Sequence, residues 1–256
     1  MMIRWAVGLL LLTGLAVGAA EPPEQLATAG VAQFTNAYAA WDGAEFAAAA
    51  ARFRAATLAA PEGRTNFYWL GVAEFHHLLY LLGEPASRAN TRAAETAREA
   101  ALAALKTAVK LDDHDAESHA LLGTLYGIGI AQKPVRALWL GPRVMNHEKA
   151  ALEYGAENPR VRYLLGMSHY HAGALGGGKE EALRCLLKAE ELYAAEAAKP
   201  AGPLEPRWGR GSCRAFLGKT YGALGLPAEA RKYFRLALEL NPHDPLAREE
   251  LKRAAP

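Results

Sequence analysis

The sequence predicts an all-α protein, a solenoid of about five helix-turn-helix repeats with insertions and a C-terminal capping helix. Three observations carry this. First, residues 21 to 256 are rich in Ala, Leu, Glu, Lys and Arg, the best helix formers, and lack the alternating Val, Ile and Thr runs of strands. Second, the fourteen prolines leave long stretches free: Glu24 to Ala60, Ala86 to Lys133, Arg160 to Lys199 and Ala228 to Asn241. Proline breaks helix interiors, so helices can run in these windows, split by Gly or Asp-Gly punctuation into pieces of about a dozen residues. Third, a Leu-Gly step recurs at Leu70-Gly71, Leu122-Gly123, Leu165-Gly166 and Leu217-Gly218, at intervals of 52, 43 and 52 residues.

The chain begins with a short positive start, Met1 to Arg4, an apolar run from Trp5 to Val17 and small residues at Gly18-Ala19-Ala20. This is the three-part pattern of a secretory signal peptide over residues 1–20, and it places the mature chain outside the cytoplasm, periplasmic or secreted. An uncleaved anchor is the alternative, but the apolar run falls short of the roughly 20 residues a spanning helix needs. The 256 residues carry 29 Lys and Arg against 27 Asp and Glu, a net charge of +2. That is far from the basic excess of a nucleic-acid-gripping protein, so no nucleic-acid partner is expected.

The clearest repeat unit is Leu217-Gly218-Lys219-Thr220-Tyr221, Leu224-Gly225, then Ala230, Phe234, Ala237 and Asn241-Pro242. Ala230, Phe234 and Ala237 lie four and three apart and share one helical face; small Gly and Ala let two helices approach while rings fill the gap. This spacing resembles the tetratricopeptide repeat (TPR), a 34-residue helical hairpin, with Arg214 where the family often has Trp. Each Leu-Gly interval is then one period plus an insertion of 18, 9 or 18 residues. Second helices recur as Ala49-Phe53-Ala56, Ala101-Leu105-Ala108 and Ala182-Leu186-Ala189. The repeats fall at about 28–61, 62–113, 114–158, 159–195 and 211–244, with a cap at 245–255. The resemblance implies a right-handed solenoid whose first helices line a concave groove.

The insertions are Gly83 to Arg98, Ile128 to Pro142, Ala172 to Gly178 and Glu196 to Arg210. Two of them hold Trp139 and Trp208, so they are expected to fold back and cover or line the groove. Motifs for chemistry are weak. Gly173 to Lys179 has the spacing of a phosphate loop, yet Glu180 stands where Ser or Thr must hold magnesium. His76-His77 and His169-x-His171 lack the spacing of a helical metal pair, and Asp112 to Asp115 reads as a capping turn. Cys185 and Cys213 fall roughly 10 Å apart along adjacent helices, too far for a disulfide. No nucleophile, acid-base pair or metal set is visible, and neither a cofactor nor an enzyme activity is expected.

Counted from the Leu-Gly step and the family's geometry, the groove-facing positions hold Phe34, Tyr38 and Trp41, then Tyr68, Phe75 and His76, then Arg160, Tyr163, Tyr170 and His171, then Lys219. With Trp139 and Trp208 from the insertions, they make an aromatic stripe with cationic tips, suited to varied partners. The expected role is a non-enzymatic adaptor binding a protein or extended peptide. The alternative is a small-ligand binding protein, perhaps serving a transporter, whose insertions close the groove into a pocket.

Overall fold

The structure, a computed structural model, describes residues 21–172 and 177–253. The expected leader over residues 1–20 lies outside the described residues, as do Gly173 to Gly176 and positions 254 and 255 of the cap. Successive helices form five hairpins: α1 (Pro23–Ala40) with α2 (Gly43–Ala59), α3 (Arg64–Gly83) with α4 (Arg88–Leu111), α5 (Ala116–Gln132) with α6 (Ala137–Gly155), α7 (Pro159–Ala172) with α8 (Gly178–Ala197), and α9 (Arg210–Ala223) with α10 (Pro227–Leu240). A final helix, α11 (Pro245–Arg253), packs on α9 and α10. No strand occurs among the described residues. The architecture is the right-handed α-solenoid with a terminal cap that the repeat spacing implies.

The turns between hairpins are built by carboxylate and amide caps, as the Asp and Asn positions suggest. Asp115 Oδ1 accepts the Ser118 amide at 3.2 Å at the head of α5, and Asn158 Oδ1 accepts the Arg160 amide at 2.9 Å at the head of α7. Within a hairpin the small residue has a geometric purpose. A Cβ on Gly71 would lie 2.4 Å from Leu105, on Gly166 2.6 Å from Leu186, and on Gly218 2.6 Å from Phe234. Each glycine is the socket for a bulky residue of the partner helix, and all three bulky residues are buried. Gly30 does the same for Phe53, at 2.7 Å, in the first hairpin.

The third hairpin departs from this rule. Opposite Gly123 stands Glu148, 3.4 Å from where a Cβ would lie, an ordinary contact. Val144, Glu148 and Ala151 occupy on α6 the places that Ala, Phe or Leu, and Ala occupy elsewhere. A carboxylate in the bulky position hides the repeat from hydrophobic spacing.

The insertions differ from the expected loops. Most of Gly83 to Arg98 is helix, because α4 starts at Arg88 and runs 24 residues. Ile128 to Pro142 extends α5 to Gln132, passes through a 3-10 turn at Pro134–Arg136 and begins α6. Pro142 sits inside α6, against the expectation that proline marks breaks; it lies in the second turn and is exposed, so water can serve the carbonyl it frees. Among the described residues, only the connection between α8 and α9 folds back as a loop. There the Trp69 indole donates to the Leu204 carbonyl at 2.9 Å, and the Trp208 indole donates to the Tyr68 hydroxyl at 3.0 Å.

The curve also closes on itself. Tyr38 on α1 and Ser212 on α9 share a hydrogen bond of 2.7 Å, and Asn241 Nδ2 donates to the Tyr38 carbonyl at 3.0 Å. The first and fifth hairpins therefore touch, and the concave face is a partly closed space with an open mouth instead of a trough.

Candidate ligand-binding cavity

The inner helices place their inward residues at helical spacing. On α7 these are Tyr163, Met167 and His171, each four residues from the next; on α9 they are Ser212, Ala215 and Phe216; on α5, Thr124, Gly127, Ile128 and Ala131. Leu79 and Leu82 of α3 and Trp41, at the end of α1, complete that wall. Gly141, Val144, Met145 and Glu148 of α6 form one side, and Asp244, Pro245 and Leu246 at the head of α11 form another. Together they enclose a cavity of about 760 Å³ with a predominantly apolar lining. This is within the usual range for small-molecule sites, roughly 300–1,000 Å³.

Trp41 is held in the left-handed region, with φ 51°, the lone such non-glycine residue among those described. Its ring meets Tyr38 and Phe46 edge to face, which fixes it against the cavity wall.

The eleven residues expected to contact a partner are scattered. Trp41, Tyr163 and His171 line the cavity. Tyr38 lies behind it, hydrogen-bonded to Ser212, and burial pushes its phenol up to about 12. Tyr170 and Lys219 stand beside His171 and Phe216; the Lys219 ammonium is 5.0 Å from the Tyr170 ring and 5.3 Å from the Phe216 ring. Burial lowers the pKa of both Lys219 and His171.

Tyr68, Phe75, Arg160 and Trp208 are not on a groove surface; they are buried in the closed end of the curve. For the α3 residues the reason is the α8–α9 connection, which lays Trp208 against Tyr68 and His76. Trp208 meets the His76 ring edge to face at 5.1 Å, and His76 also touches Phe34, Tyr38, Phe46 and Phe75. His76 Nδ1–H donates to the Val72 carbonyl at 2.8 Å, and burial lowers its pKa to about 4, so it is neutral.

Arg160, read from sequence as a cationic tip, is an internal strut. Its Nε bonds Glu117 at 2.7 Å and its terminal nitrogens bond both oxygens of Glu196 at 2.6 and 3.0 Å. Burial opposes its charge, but Glu117 and Glu196 outweigh burial and raise its pKa. Glu117 also accepts from Asn158 at 2.7 Å and from the Tyr68 hydroxyl, so one network ties α3, α5, α7 and α8. Trp139 projects from the outside of α6 and does not line the cavity.

Four titratable residues line the cavity, Glu148, Tyr163, His171 and Asp244. Glu148 accepts from the Ser168 hydroxyl. Asp244 caps α11 through the Ala247 amide at 2.9 Å, and burial raises its pKa to about 6.

Among the described residues two groups have the makings of a metal site. His169, Glu181 and Cys185 have ligand atoms within 4.8 Å of one another. Glu181 there pairs with Arg184, and Arg162 and Arg184 both lie by the thiol, where they oppose a cation and offset the charge of Glu181 and Glu148. Asp112, Asp113 and His114 form the other group, with Asp113 and His114 exposed at the turn before α5. Cys185 and Cys213 are buried free thiols; Cys213 contacts the Leu186 carbonyl at 3.5 Å. Of the phosphate-loop-like stretch, Gly173 to Gly176 lie outside the described residues, and Lys179, Glu180 and Glu181 form the first turn of α8.

The lining that the sequence did not single out is aliphatic: Leu79, Ile128, Val144, Met167 and Leu246, with Phe216. One signal was present. Helix α5 is apolar on every side, and a helix hydrophobic all round must be central.

No protein-family model matches the chain, and no curated protein is similar to it in sequence. Solved structures are similar in fold. A thermophilic TPR protein of Thermus thermophilus superposes with a TM-score of 0.63 at 18% identity, over 91% of this chain and 98% of that one. The HusA haemophore of Porphyromonas gingivalis gives a TM-score of 0.63 at 23% identity, over 80% of this chain and 96% of that one. The chain has the tetratricopeptide-repeat fold.

Proposed function

We propose that the protein is an extracytoplasmic, non-enzymatic binding module that holds a small apolar ligand in its concave cavity. The carrying observation is the cavity itself: about 760 Å³, walled by Trp41 of the first hairpin, by α3, α5, α6, α7 and α9, and by the head of α11. Burial of apolar surface drives such binding, at about 25 cal/mol per Å² removed from water. The few polar groups of the wall, among them Ser168, Ser212, Glu148, His171 and Asp244, are suited to orienting a ligand. The signal-peptide pattern over residues 1–20 supports export. That a protein of this fold is a haemophore supports a carrier role for five stacked hairpins.

The alternative is the adaptor, in which the cavity takes the apolar end of a partner chain. Exposure of Leu82, Met145 and His171 among the lining residues favours it. A long extended peptide suits the structure less well, because the Tyr38–Ser212 contact joins the first and last hairpins and Trp208 plugs one end.

Gly127 provides the test. It lines the cavity, and a Cβ there meets nothing within 4 Å. In Gly127→Phe the side chain starts in open space, the ring takes up room in the cavity, and a poor helix residue is replaced by a better one. Titration of the purified protein with 1-anilinonaphthalene-8-sulfonate and with haemin, followed by fluorescence and absorbance, reads occupancy. The expected result is saturable binding by the parent, weakened at least about tenfold in Gly127→Phe. Equal binding by both proteins removes the cavity as the site. Absence of probe binding by the parent, with a partner chain whose capture Gly127→Phe abolishes, transfers the cavity to the adaptor reading.

A further inference from the structure

Helix α6 has two unlike faces. Leu140, Val144, His147 and Ala151 turn inward, and Leu140 and Ala151 are buried. Leu138, Pro142 and Met145 lie four and three residues apart on the opposite face, all exposed. Leu138 is 85% exposed and Met145 71%; Trp139, beside them, is 52% exposed, and Val135 in the preceding turn 74%. This is the largest run of uncovered bulky apolar residues among those described, and isolated exposed leucines elsewhere do not form a face.

The charge around the face is one-sided. No Asp or Glu occurs from Ser118 to His147, while Lys133, Arg136 and Arg143 fall within it and Lys149 follows on the same side of α6 as Leu138. From the neighbouring α4, Glu95 faces Arg136 at 3.8 Å, but it also pairs with Arg98 at 2.8 Å, so the pair of arginines outweighs it. Glu153, further along α6, is the nearest acid on the exposed side. Lys133, Arg143 and Lys149 are exposed. The patch is also continuous with the cavity, because Met145 belongs to both the exposed face and the lining.

We propose that the 3-10 turn and the first half of α6 dock on an anionic lipid surface, with Val135, Leu138, Trp139 and Met145 entering the interface and Lys133, Arg143 and Lys149 meeting the headgroups. Apolar side chains on one face and cations at its edge are what an interfacial helix needs, and Trp partitions to that depth. The cations choose the charge of the lipid. Among the described residues no helix is long and apolar enough to cross a membrane, so the contact is peripheral. Resting on the reading of the cavity as an apolar-ligand site, docking there sets the cavity mouth against the bilayer, so that an apolar ligand passes between them without crossing water.

The test is co-sedimentation of the whole chain without its leader with vesicles of phosphatidylglycerol and phosphatidylcholine in equal parts, against vesicles of phosphatidylcholine alone. Quenching of Trp139 by brominated lipid is read in parallel, with Trp139→Phe as the blank. Expected are preference for the anionic vesicles, loss of binding in high salt, and at least a tenfold loss in Leu138→Glu/Met145→Glu and in Lys133→Glu/Arg143→Glu. All four positions are exposed, and circular dichroism checks that the fold holds. Failure to bind either vesicle overturns the proposal. So does binding that these variants leave unchanged, or a self-associated state in solution that Leu138→Glu dissolves, which assigns the face to a second copy. Gly127→Phe is expected to keep vesicle binding while losing probe binding; loss of vesicle binding alone in Lys133→Glu/Arg143→Glu, neither of which lines the cavity, with probe binding intact, separates the docking claim from the cavity claim.

Discussion

At the scale of single residues, space decides more than residue type. Gly218 and Gly123 occupy the same place in their repeats, yet Gly218 faces a ring at 2.6 Å and Gly123 a flexible carboxylate at 3.4 Å. Gly218→Ala is expected to overpack the fifth hairpin and to cost about 1–3 kcal/mol. Gly123→Ala meets only ordinary contacts and gains about 1 kcal/mol of helix preference. Urea unfolding of the two variants should move the midpoint in opposite directions.

Burial also sets charge at this scale. His76 is held neutral among rings, its pKa lowered from 6.5 to about 4. A lowered histidine contributes stability that is complete above pH 6.5 and lost as pH falls toward 4. At pH 5 that loss is about 2 kcal/mol. His76→Leu should therefore compare better with the parent at pH 5 than at pH 7, by about that amount, in paired denaturation curves. An unchanged difference between the two pH values would mean that His76 does not titrate in its folded setting. Asp244 has the opposite sign: its raised pKa favours the protonated form, and stability falls as pH rises through about 6.

At the scale of elements, the connection between α8 and α9 decides the shape of the interior. Its sequence, with three prolines and Trp208, reads as an insertion that folds back to cover or line the groove. It does fold back, and Trp208 goes further than a groove lining: it is a core residue, hydrogen-bonded to Tyr68 and seated on His76. Trp208→Ala is expected to cost about 3–5 kcal/mol, as for other large buried rings, and to leave Tyr68 without its indole donor. A change below 1 kcal/mol in equilibrium unfolding would place Trp208 outside the core. The same reasoning explains Arg160. From sequence it is one cation on a helix; in the structure it bridges two carboxylates contributed by α5 and α8, 43 and 36 residues away.

At the scale of the whole molecule, closure distinguishes this chain from an open repeat array. Two hydrogen bonds between distant hairpins, Tyr38 with Ser212 and Asn241 with Tyr38, hold the ends of the curve together. Repeat arrays otherwise transmit stability only between neighbours. Closure converts the concave face of α1, α3, α5, α7 and α9 from a track for extended chains into a chamber, and α11 with α6 supply its remaining walls.

The helices, their pairing, the small sockets at Gly71, Gly166 and Gly218 and the fold class were written in local spacing, because a hairpin packs residues that are close in sequence. The signal was absent only where a polar residue took an apolar place, as Glu148 does on α6. The site was far less legible. Tyr163 and His171 follow from α7 periodicity alone, but whether a ring on an inner face meets a ligand or a tryptophan depends on a connection more than one hundred residues distant, as Tyr68 and Trp208 show. Local periodicity fixes which face of a helix is inward; the closing of the ends and the path of one loop, set by contacts between hairpins, decided which inward residues are core and which are cavity.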